Sequence, residues 1–472
     1  MCSCTRAPQL PARYALLPFD NLTGDASLDW ITRSAPSIAA LEIAGTARTA
    51  TTVGDAYLEK ATRFVHGYFT GTANALQLTI EVENSTSHKM VETEHLDGPV
   101  LELVNTLAKR LDPNAGPFPT SNEAAAAAWG RGEFEKAVTL DPDFGTAWLA
   151  WIESLARLGD TAHAIEVAGR ALEHPVKSEI DGLRIQLIRA TLQKDSQAEH
   201  EVLLKLTARV ADPRLLANLG AIEVRAREFA LAESDYKKIL AVEPEDGDLL
   251  NQLGYTYGYE GKIGDAEAAF ARYGKLPGQE PNSFDSLGEV YFMNGKFAEA
   301  EKAFLRAQDL NAALLGGGDL RKAAYAQWLA GDLPGADKIF QRYLDFRAKM
   351  KGRPNVEREH AAWEFSTGRK DQAIARLEQS PPPEAAVQLH VWRGEVKLPS
   401  NLDQLKQAYQ ASQPAADGLY RTFYAEALAA SGNQDEAKKV AARWPLPDNA
   451  GEPVLQSLVF PKYIALRRIL NL

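Results

Sequence analysis

Three sets of residues recur at one fixed distance. Gly220, Gly254 and Gly288 lie 34 residues apart, as do Ala232, Ala266 and Ala300, and as do Tyr236, Phe270 and Phe304. The stretches LGYTYGYEGKIGDAEAAF, starting at Leu253, and LGEVYFMNGKFAEAEKAF, starting at Leu287, are near copies. A constant period of this length means that one small supersecondary unit is repeated. Such a unit cannot bury its apolar stripe alone, so neighbours must stack. Two antiparallel helices per unit explain the spacing. Gly254 and Ala266 are small enough for the helices of a pair to approach closely, and Tyr257 and Phe270 fill the volume between pairs. Gly261 and Gly295 stand where a first helix must end, a position that favours left-handed backbone angles.

The anchors large-x-x-Leu-Gly-x-x-Tyr, then Ala-x-x-x-aromatic, appear in LLNQLGYTY (Leu250, Leu253, Gly254, Tyr257) and FDSLGEVYF (Phe284, Leu287, Gly288, Tyr291). This pattern resembles the tetratricopeptide (TPR) family. The resemblance implies a mostly α fold, a right-handed TPR superhelix. Fainter copies flank the clear ones: Trp148, Gly159, Ala164 and Ala171; Leu320, Ala324, Gly331, Ala336 and Phe340; Gly368 and Ala373; Gly432 and Ala437. Residues 178–210 read as two helices without the glycines, and 384–411 as an irregular pair. Thr120 and Glu123 read as a capping box that opens one helix through EAAAAAWGRGEFEKAVTL. The array is expected over 121–446. After the turn-rich PLPDNAGEP, residues 447–472 are expected to be a capping helix over the open end of the stack.

The first hundred residues lack the period. RYALLPF reads as a buried strand and SLDWITRSAPSIAALEIAG as a helix despite Pro36. RFVHGYFTG, ALQLTIEVENS and KMVETEHLD read as a strand meander, and GPVLELVNTLAKRLD as an amphipathic helix. Together these give a small α+β domain over 13–113. ALLPFDNLTGD at 15–25 and this element order resemble the TolB amino-terminal-like domain, found in bacteria beside TPR arrays. Pro113, Pro117 and Pro119 then form a stiff boundary, and residues 1–12 read as a flexible N-terminus.

Composition narrows the function. A net charge of −11 argues against nucleic acid, which needs a basic face. Both cysteines, Cys2 and Cys4, stand in the first four residues, so residues 5–472 offer no thiol for a disulfide, a metal or a nucleophile. No stretch of about twenty apolar residues encodes a transmembrane helix. As numbered, the chain has no signal peptide and reads as cytoplasmic. Its start also resembles a mature lipoprotein, which would make it periplasmic or lipid-anchored at the N-terminal Cys. No phosphate loop, HExxH, GxSxG or kinase signature is present, so no catalytic residue, metal ligand or cofactor is assigned. His360 reads as a helix-face residue among carboxylates, and GGGD at 316–319 as a loop with Asp319 as N-cap.

A surface remains. In the TPR register the first helix of each pair lines the inner face. That places Asn251, Tyr255 and Tyr259 inward from one unit, Asp285, Glu289, Phe292 and Met293 from the next, and Arg321, Tyr325 and Trp328 from the third. Aromatics mixed with polar groups suit a peptide groove. Asn251 and Arg321 do not complete the Lys, Arg and Asn set with which some TPR domains hold a carboxylate tail. The expectation is a non-enzymatic scaffold that binds a peptide or helix of another protein, as a docking or sensory part of a bacterial signalling system. Alternatives are an envelope assembly factor and an enzyme with an unrecognised site.

Overall fold

The computed structural model describes residues 12–472 except 44–46, 59–60, 74, 117–118, 177, 211, 351–355, 380–384, 396–400, 413 and 443–452. Cys2, Cys4 and most of PLPDNAGEP lie outside the described residues. The chain divides into two compact units, one ending at Ile222 and one starting at Glu223.

The first unit opens with an α+β domain. Its elements are β1 (Tyr14–Leu16), β2 (Asp20–Asn21), α1 (Ile31–Glu42), β3 (Ala47–Thr49), α2 (Val53–Leu58), β4 (Arg63–Thr72), β5 (Ala75–Asn84), β6 (Met90–Gly98) and α3 (Val100–Leu111). The sheet order is β3-β1-β4-β5-β6, with β2 beside β4. β1 runs parallel to β3 and β4, while β4, β5 and β6 form an antiparallel meander. α1 is therefore a crossover. Alternation in β5 sends Leu76, Leu78, Ile80 and Val82 into the core shared with Ile38, Leu103 and Leu107 of the helices. Pro36 is tolerated inside α1 for a specific reason. It has no N–H for the Thr32 carbonyl, and the Phe19 N–H takes that acceptor at 2.8 Å.

Helices follow: α4 (Glu123–Gly130), α5 (Phe134–Leu140), α6 (Gly145–Arg157), α7 (Thr161–Leu172), α8 (Glu179–Gln193) and α9 (Ser196–Thr207). The single helix expected from Glu123 is two, because Gly132 between them adopts φ +79°. The N-cap of α4 is Asn122, which accepts from the Ala125 N–H at 3.1 Å. Thr120 forms no capping box; its hydroxyl donates to Asp141 and accepts from the Asn122 N–H.

α10 (Pro213–Arg225) spans the division. The second unit continues with α11 (Phe229–Val242), α12 (Gly247–Glu260), α13 (Ile263–Tyr273), α14 (Glu280–Met293), α15 (Phe297–Leu310), α16 (Gly318–Leu329) and α17 (Leu333–Ala348). It ends with α18 (Val356–Ser366), α19 (Lys370–Gln379), α20 (Ala385–Trp392), α21 (Leu402–Ala411), α22 (Pro414–Ala430), α23 (Gln434–Ala441) and α24 (Pro453–Leu470). The 34-residue register is visible as close contacts. A Cβ on Gly254 would lie 2.5 Å from the Phe270 ring, and one on Gly288 2.7 Å from Phe304, so each first helix sits directly on its partner. A Cβ on Gly258 would meet Val290 at 2.6 Å, which brings α12 equally close to α14 of the next pair. Gly261 (φ +76°) and Gly295 (φ +74°) end the first helices in left-handed geometry.

Two details differ from expectation. Gly317, at φ +84°, is the N-cap of α16, and Asp319 lies inside the first turn with its side chain buried. α24 packs on α18 and α22 and reaches Phe292 of α14 and Tyr325 of α16 through Phe460. Its buried stripe divides: Val459, Phe460 and Tyr463 join the core of Phe292, Tyr325 and Trp363, and Leu466 and Leu470 join that of Phe423, Leu428 and Val440 in the last pair.

Candidate interaction surface

The inner helices α12, α14 and α16 carry two different side-chain sets. The first is charged and buried. The Lys322 ammonium, 1% exposed, lies 2.6 Å from Asp285 Oδ1 and 2.5 Å from Glu289 Oε1. The Tyr255 hydroxyl donates to the other Glu289 oxygen. Tyr255 and Glu289 are one period apart, so the bond joins equivalent heights of successive pairs. Burial pushes Asp285 up to about 8 against the opposing pull of Lys322, and the adjacent Asp319 adds to the rise. The Asp285 carboxyl is therefore held toward its protonated form while it faces the Lys322 ammonium. Burial, with Glu289 beside it, also holds the Tyr255 hydroxyl well above its ordinary value, so it stays a donor. Such a network fixes register more than it adds stability, because each buried charge has first been stripped of water.

The second set is aromatic. Tyr325 stacks on Phe460 of α24 with centroids 4.4 Å apart and meets Trp363 edge-on at 5.1 Å. Phe292 meets Phe460 edge-on at 6.1 Å. Trp328 leans on Trp363 at 5.7 Å. Polar contacts frame the seat of α24. Trp392 Nε1 donates to Ser457 Oγ at 2.9 Å, and Lys462 Nζ pairs with Glu426 at 2.8 Å. The Arg467 guanidinium lies 4.9 Å over the Phe297 ring.

The ten residues read from sequence thus fall into two groups. Asp285, Glu289, Phe292, Met293 and Tyr325 are buried, the acids in the charged network and Phe292 and Tyr325 in the apolar core that Phe460 of α24 joins. Asn251, Tyr255, Tyr259, Arg321 and Trp328 are half-buried. Tyr259 stacks on Phe229 at 5.2 Å. Arg321 acts electrostatically on the Tyr325 and Tyr343 hydroxyls. The Asn251 carbonyl oxygen is buried and has no hydrogen-bond partner among the described residues.

Sequence reasoning missed Lys322, Asp319 and the α24 contact. A signal for Lys322 existed: Asp285 and Glu289 are four apart on one inner face, and Lys322 falls at the matching height of the next pair. His360 lies 3.5 Å from Glu364, which Arg376 also engages, and burial lowers the imidazole. It is held on its helix face. No cluster of three His, Cys, Asp or Glu able to hold a metal occurs among the described residues, and no helix among them is long and apolar enough to cross a membrane.

No family model and no curated protein matches the chain. Among solved structures it is similar to YrrB, a TPR protein with an unusual peptide-binding site, at 18% identity and TM-score 0.34, over 38% of this chain and 93% of that one. It is also similar to the C-terminal part of a TPR protein from Cytophaga hutchinsonii (18%, TM-score 0.36, 51% and 98% covered). A third is a tetratricopeptide repeat protein from Parabacteroides merdae ATCC 43184 (14%, TM-score 0.34, 60% and 98% covered). These likenesses are faint.

Proposed function

We propose that this protein is an interaction scaffold, without catalysis of its own, whose second unit binds a helix or extended segment of a partner protein on the inner faces of α12, α14 and α16. The observation that carries this reading is α24. That surface already accommodates an amphipathic helix, its aromatic side chain inserted between Phe292 and Tyr325, which is the helix-in-groove mode of recognition. The half-buried residues of α12 extend the surface. Asn251 offers a buried acceptor suited to a ligand N–H, and Tyr255 and Tyr259 offer aromatic area at small entropic expense. A docking role in bacterial signalling is supported by the sheet domain that precedes the array, in the order that resembles the TolB-like and TPR pairing.

The test begins with capture of a partner by the purified full chain, followed by titration of the purified partner. Asn251→Ala with Tyr259→Ala is expected to weaken binding at least about tenfold, the loss expected when aromatic anchors and a buried polar contact are removed. Exposed changes on the second helices, such as Glu299→Ala, should leave it unchanged. The reverse pattern would place binding elsewhere.

A further inference from the structure

Equivalent positions of the repeats do not carry equivalent partners. Trp148, Leu250 and Phe284 share one place in the 34-residue register, Trp151, Leu253 and Leu287 a second, and Arg170, Arg272 and Arg306 a third. Two of these arginines are committed within the chain. Arg306 lies 5.8 Å over the Phe284 ring and 3.6 Å from Glu280, and Arg272 donates to the Pro244 carbonyl at 2.9 Å. Arg170 keeps the aromatic half of the Arg306 arrangement and lacks the acidic half. Its guanidinium lies 5.8 Å over Trp148 and 5.4 Å over Trp151, and its side chain has no hydrogen bond or ion pair among the described residues. The place of Glu280 in the register is taken by Phe144, which is fully buried. Glu166 and Glu173, four before Arg170 and three after it, form no ion pair with it either.

The platform under Arg170 is enlarged as well. Trp151 stands where the other pairs have leucine and stacks on Trp148 at 5.8 Å, with 20° between the planes, and His174 stacks on Trp148 at 5.7 Å. Trp148 is buried, and its Nε1 donates to the Pro142 carbonyl at 2.8 Å. Trp151 and Leu155 are half-buried, and Leu158, next on the same helical stripe, is 80% exposed. A guanidinium seated over indole rings has already given up part of its freedom, yet it keeps its donors for a ligand.

We infer that the α6–α7 pair carries a docking site of its own, for an internal acidic segment of a partner protein with a carboxylate side chain close in sequence to an apolar one. The carboxylate takes on Arg170 the place that Glu280 holds on Arg306. The apolar side chain covers Trp151 and Leu158. The cation without an acid sets the charge of the ligand, and the planar fork favours a carboxylate that accepts two parallel bonds. The exposed end of the stripe sets the apolar requirement. No free C-terminus takes part, because one arginine of a second helix makes the contact and not an inward Lys, Arg and Asn set. The site lies in the first unit and is independent of the docking surface proposed on α12, α14 and α16.

The test uses the full chain and an array of acetylated, amidated decapeptides, each with one Glu placed one to four positions from a Leu, Phe or Trp. The tightest binder is then titrated in solution by fluorescence anisotropy. It is expected to bind at least about tenfold more tightly than the same peptide with Gln for Glu, or with Ser for the apolar residue. Arg170→Gln should weaken it by the same factor while helical circular dichroism and melting temperature stay unchanged, since the side chain is exposed. Arg170→Lys should not restore it, because an ammonium lacks the fork. Trp151→Leu, the residue of the other pairs, should weaken it too. An array without binders, equal affinity for the Glu and Gln peptides, or full affinity in Arg170→Gln would each overturn the inference. Self-association that depends on Arg170, seen by sedimentation, would overturn it in favour of a second copy of the chain. Asn251→Ala with Tyr259→Ala should leave this binding intact, so the two docking readings stand or fail separately.

Discussion

Lys322 shows how much one residue can decide at the smallest scale. Its buried ammonium lies within 2.6 Å of both Asp285 and Glu289. Lys322→Ala leaves those acids buried without it and is expected to lower stability by about 3–5 kcal/mol, measured by urea denaturation. Asp285 makes the pH dependence predictable in sign. Its folded-state pKa of about 8 lies above the unfolded value of a carboxyl group, so the folded state holds a proton that the unfolded state releases. The stabilisation is complete in acid below the unfolded value and is lost as pH rises through about 8. Glu42, pushed up to about 8 by burial, and Glu223, pushed up to about 7 chiefly by burial, act in the same direction. The urea midpoint of the wild type should therefore fall between pH 5 and pH 9, and Asp285→Asn should make the fall shallower. An equal slope in the variant would show that Asp285 does not titrate as described.

At the scale of elements, the close contacts at glycine are the joints of the array. Gly254→Leu or Gly288→Leu forces a side chain into Phe270 or Phe304 and should lower the stability of the second unit by about 1–3 kcal/mol or more; an unchanged melting curve would contradict the register. These joints were legible in the sequence because one helix pair repeats the sterics of the last, and so were the strands, where alternation in β5 names the buried face. The split of α4 from α5 was less legible: Gly132 is a stop only if its φ is positive, and the alanine-rich run before it offers no periodicity to mark an end. Capping at Asn122 and not Thr120 was hidden for a similar reason, since both residue types cap well and only tertiary contact with Asp141 chooses between them. α24 was legible as a helix, but its reach to Phe292 and Tyr325 was not. An amphipathic stripe says that a face is buried, and nothing local says against what.

Across the whole molecule, the inner face of the second unit carries the functional reading. Register is fixed there by the Tyr255–Glu289–Lys322–Asp285 network. Half of the residues expected to meet a partner are buried, and α12 and α16 offer the half-buried remainder. Hydrogen exchange of the full chain, with and without its saturating partner, tests this most directly. The expected result is slower exchange in α12, α14 and α16. Slowing confined to the second helices α13, α15 and α17, or to the N-terminal sheet, would contradict it.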